Sequence, residues 1–322
     1  MTMAKQGKTA TIFGGTGFVG RQIVRELASK GYVVKVATRI PERAYFLRPS
    51  GTVGQIVPFA CDYSEPASIA AAVHGAEVVV NCIGILYEKR KGGFETAHHD
   101  IPAAIAKACK KENITRFVHV SSLGVNSDSE YGKSKLKGDK AVMKHCASAT
   151  ILRPSVIFGP DDSFFNMFAE LSRYSPFLPL IGGGHTKFQP VYVGDVADAA
   201  IKALTYKGDS KNSPQGQIYE LGGPDIVTFR QVYETLFAIT GRRRPLVSVP
   251  WPLAKVQATF LSLLPSPLLT RDQVTALKTD NIVADGAKGL ADLAVTPSSM
   301  ALILPTYLAR FRAGGANADI AA

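Results

Sequence analysis

The run Gly14-Gly15-Thr16-Gly17-Phe18-Val19-Gly20 restricts this chain more than any other feature. It directly follows the apolar stretch Thr9–Phe13 and opens the helical pattern Phe18–Lys30. In a strand–turn–helix of this kind one glycine permits the tight turn, a second lets the backbone approach a pyrophosphate, and a third allows close helix–strand packing. The helix N-terminus adds unpaired N–H groups and the positive end of the helix dipole. Gly14, Gly17 and Gly20, with Thr16, Phe18 and Val19 between and beside them, therefore predict a dinucleotide phosphate site.

The first half keeps a βαβ rhythm. Strands are expected at Thr9–Phe13, Val33–Thr38, Gln55–Phe59, Glu77–Cys82, Phe117–Ser121 and Thr150–Arg153, and helices at Phe18–Lys30, Ile69–His74, Ala97–Glu112 and Lys133–Cys146. Several strand runs are continuously apolar, as parallel strands buried on both faces require. The fold class is α/β, a doubly wound parallel (Rossmann) sheet with a smaller, mostly helical C-terminal cap domain. The expected division is 1–155 for the dinucleotide domain, 156–313 for a cap with elements returning to the sheet, and 314–322 for a frayed tail. In the cap, helical patterns near Phe164–Tyr174, Asp195–Tyr206, Phe229–Thr240, Pro252–Leu264 and Ser298–Arg312 are separated by Gly- and Pro-rich loops.

With 46% hydrophobic and 20% charged residues, the 322-residue chain has the profile of a folded soluble protein. Its 37 basic against 26 acidic residues, a net +11, favour anionic partners. The basic residues form scattered runs, read as solvated faces, and no aromatic-interleaved basic motif supports nucleic-acid binding. Cys61, Cys82, Cys109 and Cys146 show no disulfide or metal-ligand spacing and read as reduced, mostly buried thiols. The six histidines offer no metal site, and His98-His99 read as an exposed helix start. Met1 to Lys8 shows no signal core or transit peptide. The apolar stretch 245–270 contains five prolines, which excludes a membrane-spanning helix there.

The end of the second strand separates two cofactors. An NAD site places Asp or Glu about 20 residues beyond the glycines, to bind both ribose hydroxyls. Here the chain reads Val36-Ala37-Thr38-Arg39, with Arg43 one turn later. A guanidinium pairs with a 2′-phosphate where a carboxylate would repel it, so NADP(H) is the expected cofactor.

These residues resemble the extended short-chain dehydrogenase/reductase superfamily over roughly the first 200 positions. The matching elements are the glycine run, Cys61-Asp62, Asn81-Cys82-Ile83-Gly84, Val120-Ser121-Ser122, Tyr131-Gly-Lys-Ser-Lys135 and Arg153-Pro154-Ser155-Val156-Ile157-Phe158-Gly159-Pro160. The resemblance implies that Asp62 contacts adenine, that Ile83 and Gly84 line the dinucleotide with Ser121 nearby, and that Lys135 holds the nicotinamide ribose. Pro154, Ser155, Val156 and Ile157 would pass the carboxamide. A narrower resemblance spans nearly the whole chain. Residues 153–166, 179–184, 188–196 and Leu268-Leu-Thr-Arg-Asp-Gln-Val274 resemble the NADPH-binding Rossmann-fold accessory subunit of respiratory complex I and its bacterial relatives.

Tyr131 and Lys135, at i and i+4, share a helix face. In active relatives such a tyrosine is the general acid/base and the lysine lowers its pKa. A Ser or Thr hydroxyl, third in the run after the fifth strand, normally completes the site; counting from the strand end puts Leu123 there. Loss of one such donor costs about a hundred- to a thousandfold in rate. Ser122 or Asn126 would have to substitute. Asp195 and Asp198 read as caps of a helix N-terminus, and Gly182-Gly183-Gly184 as a flexible loop. The cap run with Trp251, Leu253, Val256, Phe260, Leu261, Leu263 and Leu264 either packs over the cleft or forms an amphipathic face for a membrane or partner, flanked by Arg242–Arg244 and Lys255.

Two functions follow. The first is an accessory subunit of NADH:quinone oxidoreductase, partnered by its other subunits. It would lie on the cytoplasmic side of a bacterial inner membrane, its basic or apolar cap residues available to anionic lipid, with a cofactor that is structural or sensing. The second is a free NADP(H)-dependent reductase, epimerase or dehydratase using Tyr131 and Lys135.

Overall fold

A computed structural model describes residues 8–316 apart from 266. The readings of the N-terminal segment and of most of the tail lie outside these residues. The first half comprises β1 (Thr9–Phe13), α1 (Phe18–Ser29), β2 (Val33–Thr38), β3 (Ile56–Ala60), α2 (Pro66–Val73), β4 (Val78–Asn81), α3 (Ile101–Lys111), β5 (Phe117–Val120), α4 (Glu130–His145) and β6 (Thr150–Pro154). The second half runs through β7 (Ile157–Phe158), α5 (Phe165–Tyr174), β8 (Leu178–Ile181), β9 (Lys187–Phe188), β10 (Val191–Tyr192), α6 (Val193–Thr205), β11 (Ile218–Leu221), β12 (Val227–Thr228), α7 (Phe229–Thr240), β13 (Leu246–Val249), α8 (Trp251–Leu261), α9 (Arg271–Ala276) and α10 (Met300–Leu308).

Seven strands form one sheet in the order β3-β2-β1-β4-β5-β6-β11. Every neighbouring pair is parallel, with Ile12 of β1 opposite Val36 of β2 and Val80 of β4. The order reverses between β1 and β4, so their carboxyl ends open a crevice where ligands of such sheets bind. The sheet accounts for the continuous apolar runs, since β4 and β5 are buried at every position. On one face α1 buries Ile23, Val24 and Leu27 in a cluster shared with α6. On the other, Ile69, Ile105 and Val142 pack beneath α2, α3 and α4. Each side chain buried to this extent stabilises the fold by about 1.5–3 kcal/mol.

The third cluster belongs to the second half and is aromatic: Phe158, Phe165, Phe168, Phe229 and Tyr233 stack within 5.0–6.0 Å of a neighbouring ring. Three two-stranded pairs, β7 with β10, β8 with β13 and β9 with β12, tie this half together. Gly182, Gly183 and Gly184 all have positive φ, and a Cβ on Gly182 would fall 2.1 Å from the Trp251 ring. Gly182 forms a seat for Trp251, while Gly183 faces His185 and Gly184 faces Leu180. No helix among the described residues is long and apolar enough to cross a membrane.

Candidate functional site

The glycine turn sits at the sheet's switch point. Gly14 has φ +73, and a Cβ there would lie 2.9 Å from the carbonyl carbon of Cys82 at the end of β4. A Cβ on Gly20 would lie 2.2 Å from the Gly14 oxygen, so only glycine lets α1 approach β1 this closely. Gly17 opens α1 in an extended conformation and its carbonyl accepts from Arg21 N at 3.0 Å. Thr16, Phe18 and Val19 are half-buried around the turn, and the Phe18 ring lies against Gly159. The first turn of α1 carries no acidic residue, so its positive end is not neutralised locally.

At one end of the crevice the β2 terminus presents Arg39, exposed, with its guanidinium 5.7 Å from the Tyr63 ring centroid. Arg43 is exposed one turn on. Asp62 is exposed and accepts from both the backbone N–H and the hydroxyl of Ser64. Those bonds, with Arg39 nearby, hold its carboxyl below the usual range.

At the other end α4 carries Tyr131, half-buried, and Lys135, buried. The Lys135 ammonium donates to the Val120 carbonyl at 3.2 Å. Burial lowers it to about 8, against the opposing pull of Asp139. Burial raises the Tyr131 phenol above its ordinary value, and the nearby Ser122 hydroxyl works the other way. Gly84 lies directly above: a Cβ on it would be 3.6 Å from Lys135 Nζ and 3.9 Å from His98 Nε2. Ile83 N donates to Asn81 Oδ1. The crevice thus brings the glycine turn, Gly84, Tyr131 and Lys135 to one place.

Not every expected side chain points there. Ser121 is buried facing the Asp139 carboxylate, although Ser121 Oγ, Asp139 Oδ1 and His119 Nε2 fall short of hydrogen-bond geometry. Asp139 is paired with Arg153 at 2.9 Å, and Arg153 reaches toward Glu220 at 3.9 Å. Burial raises the Asp139 carboxyl, with Ser121 and Arg153 opposing. Pro154 ends β6 opposite Leu221, and Ile157 pairs with Val191 in β7. The Ser155 hydroxyl is committed to Asn281, donating to its backbone and side-chain oxygens at 2.9 and 2.7 Å. Val156 contributes its carbonyl to Val191 N.

Three corrections concern this end. Leu123 is turned into the interior, because β5 stops at Val120 and Ser122 begins a tight turn by accepting from Gly124 N. The hydroxyl beside Tyr131 is therefore that of Ser122, and the place expected for Leu123 is not vacant. His98 is not exposed: it is 1% accessible, because the helix ahead of α3 begins with a wide π-turn, Glu95–Asp100. Its carbonyl presses on Gly138 of α4, where a Cβ would be 1.8 Å away. Asp195 lies in the first turn of α6 but makes no capping bond there; its carboxylate accepts instead from Ser298 N and the Ser298 hydroxyl at 2.7 and 2.9 Å.

Sequence reasoning also missed Asp272. From α9 its carboxylate accepts from Glu130 N and Tyr131 N at 2.7 and 3.0 Å, so the second half caps the helix that carries Tyr131 and Lys135. A cleft of about 230 Å³, lined by Tyr87, Phe94, Thr270, Arg271 and Asp272 among others, lies where these parts meet. Glu95, His99 and Asp100 bring three ligand atoms within 4.8 Å of one another, but Glu95 is paired with Lys137, which makes this a surface ion-pair cluster. The apolar α8 run divides: Ala254 and Ala258 are buried, whereas Leu253, Val256, Phe260 and Leu263 are exposed.

The sheet order, the glycine turn and the α4 pair define a dinucleotide-fold protein, and the chain belongs to the NAD dependent epimerase/dehydratase family, which it matches over residues 10–222. Within that family it is 39% identical to NADH dehydrogenase (ubiquinone) 1 alpha subcomplex subunit 9, mitochondrial, of Arabidopsis thaliana, over 97% of this chain and 80% of that protein. The same subunit of Rattus norvegicus is 33% identical, over 95% and 81%. Among solved structures, the NADPH-dependent quinone oxidoreductase QOR2 of Escherichia coli, complexed with NADPH, shares the fold. Its TM-score is 0.73 at 17% identity, covering 93% of this chain and 98% of that one.

Proposed function

We propose that this protein is an NADP(H)-binding accessory subunit of a respiratory NADH dehydrogenase, in which the cofactor serves mainly as a structural or sensing element. The observation that carries the reading is the 39% identity to an NADH dehydrogenase subunit over 97% of the chain, cap included.

The crevice residues fit the cofactor. Gly17, exposed at the open end of α1, leaves room for a pyrophosphate there, and Arg39 and Arg43 stand where a 2′-phosphate would lie, with no acid at the end of β2 to repel it. Lys135 and Gly84 would hold the nicotinamide ribose. When bound, the cofactor supplies a hydride at its nicotinamide ring. Burial raises the Tyr131 phenol, which disfavours the phenolate that oxidation of an alcohol would need, and Lys135 is bonded to the Val120 carbonyl. The rings of Phe94 and His98 stand edge-on to Tyr131 at 5.9 and 5.3 Å. Docking onto other subunits would use α8 and the turn after it, where exposed Leu253, Val256, Phe260 and Leu263 accompany Lys255. Such a face also suits an anionic membrane surface next to the complex.

A cofactor that binds only the folded chain stabilises it by mass action, about 2.7 kcal/mol at a hundred times Kd. Arg39→Glu is therefore expected to release NADPH and lower the melting temperature. Unchanged NADPH retention would contradict the assignment of the 2′-phosphate site.

Ser122 supports a second reading. Its hydroxyl and the Tyr131 ring both lie against Gly124, which gathers a Ser–Tyr–Lys set of the kind a reductase or epimerase would need. That reading expects a measurable oxidation of NADPH by a carbonyl substrate, abolished in Tyr131→Phe, and it fails if no substrate supports turnover.

A further inference from the structure

His98 is buried between the loop after β4 and α4 and bonds to both. Ile85 N donates to His98 Nε2 at 3.1 Å, which makes Nε2 an acceptor. The proton must then sit on Nδ1, 2.8 Å from Ser134 Oγ. Ser134 passes its own hydroxyl hydrogen to the Tyr131 carbonyl at 2.7 Å, so its oxygen is available to accept from Nδ1–H. The chain of bonds runs from the loop after β4, through one imidazole, to the backbone of α4. The ring is stacked on Phe94 at 5.2 Å and set edge-on to Tyr131.

The surroundings are shaped to this purpose. The π-turn Glu95–Asp100 and the missing Cβ of Gly138 let the His98 backbone approach α4. Burial, reinforced by the Lys135 ammonium, holds the imidazole neutral, with a pKa lowered to about 3. A charged ring would donate from both nitrogens and lose the Ile85 bond.

We propose that His98 is a positioning residue of this site: its Nδ1–H imidazole ties the loop backbone at Ile85 to α4, and so sets Gly84 against the Lys135 ammonium. The dinucleotide that benefits comes from the function proposed above; the tie itself does not depend on that reading. His98 touches no reacting atom in this account. It acts through Gly84 and Lys135.

The test compares the wild-type chain with His98→Phe, which keeps the ring and removes the acceptor, and His98→Gln, which keeps an acceptor toward Ile85. Removing the acceptor leaves a half-buried N–H without a partner, and amide exchange at Ile85 should accelerate on the order of tenfold or more in His98→Phe. NADPH should bind about tenfold more weakly to His98→Phe, with both properties largely restored in His98→Gln. Nitrogen-15 spectra of the wild-type histidines should show His98 as the Nδ1–H tautomer, a result that needs no variant to fold. The Nε2–H tautomer, or wild-type exchange and NADPH affinity in His98→Phe, would overturn the proposal. A wild-type chain that takes up no NADPH while Ile85 exchange still depends on His98 would sink the cofactor reading alone and leave the tie standing.

Discussion

At the β2 end of the crevice Arg39, Arg43 and Asp62 stand exposed, two of them anchored locally: the Tyr63 ring under the Arg39 guanidinium and Ser64 on the Asp62 carboxylate. At the α4 end Lys135, His98, Asp139 and Ser121 are buried, and the first three are bonded to residues of other elements. The contrast separates two kinds of contribution. Exposed charges act on a ligand through solvent, are screened by salt, and can be changed without disturbing the fold. Buried ones are coupled to the core, and a substitution there is felt first as stability.

The sharpest way to test that contrast is to break the buried side. Arg153→Met strips the cation from Asp139 and Glu220, and leaving such carboxylates uncompensated costs about 3–5 kcal/mol, measured by denaturant unfolding. Gly20→Ala comes next, because its Cβ would meet the Gly14 oxygen at 2.2 Å. A loss of about 3 kcal/mol is expected, together with loss of NADPH binding. A wild-type midpoint in Arg153→Met would show that the buried end is not the stiff one.

Lys135 gives the pH signature. Its folded pKa of about 8 lies below the ordinary lysine value. Between pH 8 and about 10.5 the unfolded chain holds a proton that the native state has released, so stability should rise with pH across that window, by on the order of 3 kcal/mol in full. Below pH 8 both states are protonated and the contribution is constant. NADPH affinity should move the opposite way, falling above about pH 8 as the ammonium is lost. Lys135→Met should flatten both trends relative to wild type.

On the exposed side, Arg39→Glu should weaken NADPH binding by about ten- to a hundredfold through loss of a charge-assisted pair, with NADH much less affected and unliganded stability little changed. The smallest effect on the fold is expected at Phe260→Ser on α8. That ring is 69% exposed, so stability should change by less than about 0.5 kcal/mol. Association with other subunits is the property it should weaken, read by co-purification.

The same division explains what was legible in the sequence. β1 and β2 fall on the expected residues and β3 to β6 within a residue at each end, because strands buried on both faces leave continuous apolar runs. The glycine turn was legible because its requirement is local and steric. His98 and Asp272 were not. Their roles depend on a π-turn, on a missing Cβ forty residues away at Gly138, and on α9 folding back across the sequence onto α4. Ser122 was passed over for Leu123 because counting from a strand end is only as good as that end, and β5 stops one residue early. The α8 run shows the limit of composition: apolar residues mark a surface that avoids water without telling whether the chain itself or a partner covers it.

The central claim is membership of a respiratory complex, and native gel separation of mildly solubilised membranes, followed by mass spectrometry of the tagged chain, tests it most directly. The account predicts co-migration with NADH dehydrogenase in stoichiometric amount. Recovery of the chain only as an unattached species, with the complex intact and lacking it, would contradict the account and leave the Ser122–Tyr131–Lys135 reductase as the reading to pursue.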